Sequence, residues 1–298
     1  MRTHQLVPPK PTRFRILLTD LKGDDQALTQ TRHLEKALAD QMGLAILPVG
    51  ETPGIADGEI DDDALEQCRS LIAGHNGDSL IFGEVMPAAP RIRIRMVGRY
   101  EREAGRHGPY QVDWTELPKR FGPDVEGQLL TLMVLSVSPA AQNEQDRAYL
   151  INLLRPAATK LTRLLENPSS SLDSAQQGVF WHALGLAASL LGEYTKSQRW
   201  LEVAVHAQKT ALLVWQQDTV VFQWAIVQNN LGHALRLLAG LHEDKNSQNP
   251  LLKQSIEAFQ QALRVYRAAA AAETYLRQTE TNLAHAEALL LDRPIAAE

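Results

Sequence analysis

The chain has 298 residues, of which 44% are apolar and 22% are charged, and its formal net charge is −5. This is globular composition at a length that favours two domains, and the charge gives no overall attraction to nucleic acid or to anionic lipid. The single cysteine, Cys68, excludes an intrachain disulfide and a cysteine-ligated metal cluster. The longest apolar run, at 129–137, is much shorter than the ~20 residues that span a bilayer. We therefore expect a soluble, cytoplasmic protein with no membrane partner.

The first half of the chain alternates strand and helix patterns. After a proline-rich, flexible lead-in over residues 1–12, short apolar runs predict buried strands at FRILLTDL, LAILPVG and DSLIFGEV. Between them, apolar residues at helical spacing predict amphipathic helices at TQTRHLEKALADQM and DDDALEQCRSLIAGHNG. This order predicts crossover connections and a small sheet with helices packed on it, and Glu126–Ser138 is predicted as a helix that covers the sheet. We therefore assign residues 13–140 to an α/β domain with a small mixed sheet.

The stretch RIRIRMVGRY, Arg91–Tyr100, alternates arginine with apolar residues. On a strand its arginines share one face with Val97, and its other apolar residues share the opposite face. The sequence leaves open a solvated outer face or a surface for an anionic partner. Acidic residues nearby, among them Glu116, would neutralise the arginines, which favours the solvated face and predicts no nucleic-acid partner.

The second half repeats itself. The segments QNNLGHALRLL at 228–238 and ETNLAHAEALL at 280–290 keep Asn-Leu-small-His-Ala in the same order, and HALGLAASLLGEY at 182–194 is a looser copy. The small position falls on Gly185, Gly232 and Ala284. Helical self-similarity of this kind predicts stacked helix pairs, that is, an α-solenoid.

Second helices follow the first two copies, at WLEVAVHAQKTALLVW and SIEAFQQALRVY. Ala204 and Ala262 are predicted where the two helices of a pair come close, and Leu201 and Phe259, three residues earlier, are predicted as the large side chains that fill the contact. The last copy has no clear second helix, which predicts that it caps the stack of repeats.

These residues resemble tetratricopeptide repeats, in particular the Asn-Asn-Leu-Gly subtype of kinesin-light-chain-like repeats. The resemblance covers 175–292 and implies an all-α domain over 141–298 with about three repeats. The small positions are 47 and 52 residues apart, against a norm of about 34, because the helices are long and a polar insert lies at 243–250. Three partial repeats are the minimum for a stable stack, so packing against 144–167 or self-association into a homo-oligomer stays open.

The first half resembles the amino-terminal α/β domain of TolB-like and curli-channel (CsgG-like) proteins. The residues that carry this likeness are FRILLTDL, TRHLEKALADQ and GDSLIFGEV, and it spans about residues 13–135. This resemblance brings no catalytic motif with it.

The repeat resemblance implies that the first helices line a concave groove that binds a partner. By register, the predicted groove residues are His182, Leu186, Ile226, Asn229, His233, Arg236, Gln278, Thr281 and His285. Asn230 and Asn282 are similar to the family's asparagine that bonds the backbone of a bound peptide; the alternative is that they bond within the solenoid. The docking hypothesis requires Asn229, His233 and Arg236 to face a shared hollow.

Motifs for catalysis are absent from the sequence: no phosphate-binding loop, dinucleotide-binding loop, nucleophile elbow or zinc-protease motif occurs. A ligand loop is predicted at Asp20, Lys22 and Asp24, since ligands collect at the carboxyl ends of strands in open α/β sheets. There Lys22 could meet a phosphate, and an aspartate a metal; the alternative is a turn followed by a helix start. The repeat histidines are predicted about 10 Å apart, too far for one zinc ion, so we expect no metal or cofactor.

The sequence thus predicts an α+β, two-domain, non-catalytic adaptor or scaffold whose helical groove binds a segment of another protein. Two alternatives from other classes stay open. One is an α/β domain that senses a nucleotide or metabolite and relays its state to the repeats, and the other is an enzyme that uses the Asp20–Asp25 loop.

Overall fold

The computed structural model describes the chain as two compact units, the first ending at Lys119 and the second including everything from Gly127 on. The described residues are 14–39, 44–50, 62–88, 91–98, 115–119, 127, 129, 134, 144–168, 172, 174–215, 221–269 and 273–292. The strands are β1 Phe14–Leu18, β2 Leu44–Pro48, β3 Ser79–Val85, β4 Arg91–Gly98 and β5 Thr115–Pro118. The helices are α1 Thr29–Ala39, α2 Asp62–Gly74, α3 Glu144–Glu166, α4 Ser174–Thr195, α5 Gln198–Val214, α6 Val221–Ala239, α7 Lys245–Ala268 and α8 Glu273–Leu290.

The first unit is built on a mixed five-stranded sheet in the order β2-β1-β3-β4-β5. β1 pairs in parallel with β2 and with β3, whereas β4 is antiparallel to both of its neighbours. Helices α1 and α2 connect the three parallel strands, as the alternating sequence pattern predicts. The α+β class and the small mixed sheet are therefore confirmed for the described part of the chain.

The sheet and α2 share an apolar core. Cys68 and Ile72 lie one turn apart on α2, so both face the sheet, where they pack against buried residues of three strands: Leu17, Leu80, Phe82 and Val97. We had expected Val97 on the outer face with the arginines. It is buried instead, because it lies opposite Leu80 in the β3–β4 register and α2 covers this end of the face.

The alternating stretch forms β4, and Ile92, Ile94 and Met96 are buried as predicted. A charged row crosses the sheet on the arginine face. In register, Lys22 lies beside Glu84, Glu84 beside Arg93, and Arg93 beside Glu116, so positive and negative side chains alternate. Arg93 forms an ion pair with Glu84, and Arg91 Nη1 lies 2.9 Å from Glu116 Oε2. Arg91 and Arg93 are thus neutralised by carboxylates of their own sheet, which favours the solvated outer face over a surface for an anionic partner.

The second unit is a run of antiparallel helices in which each helix from α3 to α8 packs on the next, while α6 also contacts α4 and α8. Glycines allow the closest approaches. A Cβ added at Gly185 would lie 2.3 Å from Gln208 Nε2, and one at Gly232 would lie 2.7 Å from Phe259 Cε1. None of the described helices combines the length and the apolarity that crossing a membrane requires.

The predicted cover helix at Glu126–Ser138 is described only at Gly127, Leu129 and Val134, which are helical and buried. A Cβ added at Gly127 would lie 2.4 Å from a ring carbon of Phe180 in α4. Gly127 therefore packs closely on α4 of its own unit, because its missing side chain makes room for the Phe180 ring. These three residues belong to the second unit, although we had assigned them to the α/β domain.

Candidate functional site

Helix α6 carries three polar side chains into the interior of the helical unit. From Trp224 to Leu235 all its described side chains are buried, except half-buried Gln228, because α6 is packed against α4, α5, α7 and α8. The motif Asn-Asn-Leu-Gly-His lies in this buried part. Asn229 and His233 have no exposed surface, and Asn230 is 2% exposed.

His233 connects α6 to α4. Arg236 Nη2, one turn away, lies 3.3 Å from His233 Nδ1, and since arginine can only donate, Nδ1 accepts and the proton of the neutral ring sits on Nε2. That nitrogen lies 3.9 Å from Glu193 Oε2 of α4. The guanidinium of Arg236 thus orients the imidazole, and the Glu193 carboxylate lies on its other side beyond hydrogen-bond distance.

Asn229 connects α6 to α8. Its Oδ1 accepts a hydrogen bond of 3.1 Å from Thr279 Oγ1, and both residues are buried. The amide nitrogen of Asn229 has no hydrogen-bond partner in the described part of the chain. Half of this side chain's bonding capacity is therefore unmet in the folded unit.

The two asparagines at the matching motif position are also incompletely bonded. Asn230 has no partner for either its amide nitrogen or its amide oxygen, and Asn282 has none for its amide nitrogen, within the residues that the structure describes. Both side chains are 2% exposed. A buried polar group without a partner destabilises a fold by about 1–3 kcal/mol. Hydrogen bonding within the fold therefore does not explain why these asparagines are buried.

His182 links the two helices of one pair, α4 and α5. Its Nδ1 lies 3.1 Å from Gln208 Oε1, and Gln208 Nε2 donates to the His182 carbonyl at 3.4 Å. The imidazole also lies against Trp215, with the ring centroids 5.8 Å apart. All of these contacts join α4 to α5, and Gly185 leaves room for the Gln208 side chain.

The predicted groove residues divide by exposure. Seven are buried: His182, Leu186, Ile226, Asn229, Asn230, His233 and Asn282. Four are half-buried: Arg236, Gln278, Thr281 and His285. Our expectation that all of them line an open hollow is therefore wrong on exposure. The physical reason is that α4 and α6 have neighbours on several sides, whereas α8, which holds three of the half-buried residues, lies at the end of the run.

The predicted ligand loop is a turn and a helix cap. Asp24 Oδ2 accepts 2.8 Å hydrogen bonds from both the backbone nitrogen and the hydroxyl of Thr31, and its Oδ1 accepts from Gln30 N at 3.2 Å. These bonds satisfy the free amides at the start of α1. Asp24 is therefore occupied in capping, which favours the second of the two interpretations.

The crevice beside this loop is closed by backbone pairing. In the sheet order β2-β1-β3-β4, the chain leaves β1 toward β2 on one side and leaves β3 toward β4 on the other, so a ligand would be expected between the carboxyl ends of β1 and β3. There Lys22 N donates to Gly83 O at 2.9 Å, and Lys22 O accepts from Val85 N at 2.8 Å. Asp20 is half-buried and the side chain of Lys22 is exposed. These two residues and Asp24 are neighbours in one turn, and the structure does not gather them into a ligand site.

The described residues contain no cluster of three or more His, Cys, Asp or Glu side chains that could hold a metal ion. Cys68 is fully buried, and burial raises the pKa of its thiol to about 11. A thiol with that pKa is protonated at neutral pH and is a poor nucleophile and metal ligand.

Sequence reasoning missed the partners of the predicted residues, namely Glu193, Gln208 and Thr279. Each is a polar residue within an amphipathic or apolar helix. The sequence could have pointed to them as hydrophilic residues on the predicted inner face of their helices. Which inward polar residues meet is decided by the neighbouring helix, and the periodicity of a single helix does not contain that information.

No family model matches the chain, and neither a curated protein nor a solved structure does. The two family resemblances therefore stay predictions that rest on the residues quoted for them.

Proposed function

We propose that this protein is a non-catalytic adaptor or scaffold of the cytosol, and that its helical unit, a stack of tetratricopeptide-like helix pairs, binds a segment of a partner protein along α6 and α8. The observation that carries the proposal is the set of buried amides on α6 and α8 with unmet hydrogen-bonding capacity, on Asn229, Asn230 and Asn282. An extended polypeptide offers a donor and an acceptor at every residue, and so has the groups these amides lack.

The reachable part of this surface lies at α8. Gln278, Thr281 and His285 are half-buried on α8, and Arg236 is half-buried on α6. These are three polar side chains and one guanidinium on the same two helices as the buried asparagines. A partner segment would meet these side chains first and the asparagines after them.

A ligand-sensing α/β domain has less support. Asp24 is engaged in capping α1, and backbone pairing fills the crevice between β1 and β3. Thermal stabilisation by nucleotides that disappears in Lys22→Ala would revive that alternative.

The test compares two buried amides, one unsatisfied and one bonded. We expect Asn230→Leu to leave the free energy of unfolding unchanged or to raise it by up to about 2 kcal/mol, because leucine has a similar shape and removes an unmet polar group. Gln208→Leu, the matched control, breaks the bonds to His182 and should lower it by roughly 1–3 kcal/mol. Chemical denaturation measures both values.

These variants, together with Asn282→Leu on α8, then serve in affinity capture from the native host. Wild-type protein and Gln208→Leu, where it remains folded, should retain a common partner, and Asn282→Leu should lose it, because this incompletely bonded asparagine lies on the reachable helix. If Asn230→Leu destabilises the fold as much as Gln208→Leu does, the amide has a structural role and the proposal loses its main support. An unchanged partner in Asn282→Leu would remove the asparagines from the binding surface.

A further inference from the structure

Apolar packing holds helix α8 mainly at its first turn. There the Tyr275 ring lies 5.1 Å from that of Phe222 on α6 and 5.3 Å from that of Tyr266 on α7, centroid to centroid, and Leu276 packs on the same buried cluster. The buried side chains of α8 beyond that turn are Thr279, Asn282 and Ala286, while its leucines are half-buried. Because apolar burial is the main force that holds helices together, α8 is attached less firmly than α6 beyond its first turn.

Two exposed ion pairs tie α8 to α7. Arg267 Nη2 lies 2.7 Å from Glu280 Oε1, and Lys245 Nζ lies 2.5 Å from Asp292 Oδ1 just after the helix. All four side chains are about half exposed or more, so salt screens these pairs and each adds little.

The contact between α6 and α8 contains the incompletely bonded amides. Thr279 Oγ1 donates to Asn229 Oδ1 across this contact. The amide nitrogen of Asn229 on one helix and that of Asn282 on the other have no partner among the described residues. Closing α8 against α6 therefore buries polar groups that were hydrogen-bonded to water, which works against the closed state.

We propose that α8 is a gate, which beyond its anchored first turn swings away from α6 under native conditions and thereby opens Asn229 and Asn282 to the partner segment. This inference rests on the proposed function for the identity of what enters. The opening itself is a property of the free protein. It resolves the conflict between asparagines that are suited to bind a segment and their burial in the closed unit.

Thiol labelling at two matched positions tests the gate. Ala286 on α8 and Ala211 on α5 are both fully buried alanines, so Ala286→Cys and Ala211→Cys are equivalent except for the helix that carries the new thiol. We expect a maleimide to label the Ala286→Cys variant at least about tenfold faster than the Ala211→Cys variant in native buffer, since the thiol on α5 is reached only by larger unfolding. Wild-type protein gives the background from buried Cys68.

Two further changes should act on the α8 thiol alone. Thr279→Val removes the hydrogen bond to Asn229 with little change of shape, and raised ionic strength screens the ion pairs to α7. Both should speed the labelling of the Ala286→Cys variant and leave that of the Ala211→Cys variant unchanged. Hydrogen exchange of the unsubstituted protein checks the result without a new cysteine, because α8 amides should exchange faster than those of α6.

Equal labelling rates at the two positions, or equal exchange in α6 and α8, would overturn the gate. The labelling experiment needs no partner, so it tests the opening alone. Such a result would remove the buried asparagines from the docking surface and leave only the half-buried side chains of α8 and Arg236 to contact a partner. Conversely, a failed capture experiment combined with rapid labelling of the α8 thiol would reject docking and keep the gate.

Discussion

Helices α6 and α8 share the motif Asn-Leu-small-His-Ala, but the burial and the neighbours of the motif residues differ between the two helices. His233 on α6 is fully buried, while His285 at the matching position on α8 is half-buried. Gly232 on α6 contacts Phe259, whereas Ala284 on α8 is exposed. The same local sequence is thus an interior helix in one place and an end helix in the other.

The difference comes from the second helix of each pair. After α6 the chain forms α7, whose Phe259 fills the space over Gly232, and Ser255 Oγ donates to the Gly232 carbonyl at 2.7 Å. No described helix follows α8, so nothing in the described chain fills the space over Ala284. A glycine is required where a ring must approach the backbone, and at an exposed helical position alanine is the better residue.

The largest loss of stability should come from truncating Phe259, the α7 side chain that packs over Gly232 of α6. Phe259 is fully buried, so Phe259→Ala should lower the free energy of unfolding by about 3–5 kcal/mol through lost burial and a residual cavity. The matched change on the end helix, Leu283→Ala, removes a half-buried side chain and should lower it by no more than about 2 kcal/mol. Urea denaturation measures both, and similar losses would contradict the contrast between an interior and an end helix.

Exchanging glycine and alanine at the small position should destabilise both motifs, but for different physical reasons. In Gly232→Ala the new methyl group would lie within 3.0 Å of three Phe259 ring carbons, so overpacking should lower the free energy of unfolding by about 1–3 kcal/mol. In Ala284→Gly the helix loses about 1 kcal/mol of propensity with no contact changed. Glycine is thus preferred at one position and alanine at the other.

A second alanine substitution controls for helix propensity. A Cβ at Gly74, the last residue of α2, would have nothing within 4 Å, so Gly74→Ala should be neutral or slightly stabilising. A stabilised Gly232→Ala variant would mean that Phe259 moves away at no cost, and the tight contact would then not explain the glycine.

Much of the fold follows from patterns within single elements. Buried strands, amphipathic helices and the alternating β4 were predicted because burial in a sheet or on a helix face repeats every 2 or 3.6 residues, and β1, α1, β2, α2, β3 and β4 occur where those patterns lie. Gly127 shows the limit of this approach: its helical pattern does not say whether the sheet or Phe180 will cover it.

The pairing of helices could not be predicted for the same reason. We matched Leu201 with Phe259, but Leu201 fills the space over Gly192, and it is Gln208 that fills the space over Gly185 in the way Phe259 does over Gly232. The mismatch between Leu201 and Gln208 is seven residues, nearly two helical turns, so the same face is presented in both registers and the sequence pattern alone does not distinguish them.

The candidate site shows the same division. Its residue types, asparagines and histidines on first helices, could be read from the repeated motif. Their burial could not, since it depends on how many neighbours each helix acquires. Asp24 illustrates the point in the first unit: a carboxylate after a strand has the same sequence signature whether it binds a ligand or caps the next helix.

The smallest effect concerns the start of α7, the helix that packs over Gly232 of α6. Asp244 is its N-cap, with Oδ1 accepting a 2.8 Å hydrogen bond from Ser247 N. Hydrogen bonds from the Ser247 backbone and hydroxyl lower the pKa of Asp244 below its usual value. A carboxyl whose pKa is lower in the folded state stabilises it above the unfolded pKa of about 3.9, and that contribution disappears as the pH falls through the folded pKa.

Asp244→Ala should therefore lower Tm slightly at pH 7, and the difference from the unsubstituted protein should shrink toward pH 2.5 as the aspartate becomes protonated. Asp244→Asn is the matched control, because asparagine caps a helix about as well without a charge; its difference from Asp244→Ala should not depend on pH. Scanning calorimetry at pH 7 and pH 2.5 measures all three proteins. An Asp244→Ala difference that persists unchanged at low pH would show that the cap acts through its geometry and not through its charge, and the dependence of α6 on α7 would then be insensitive to pH.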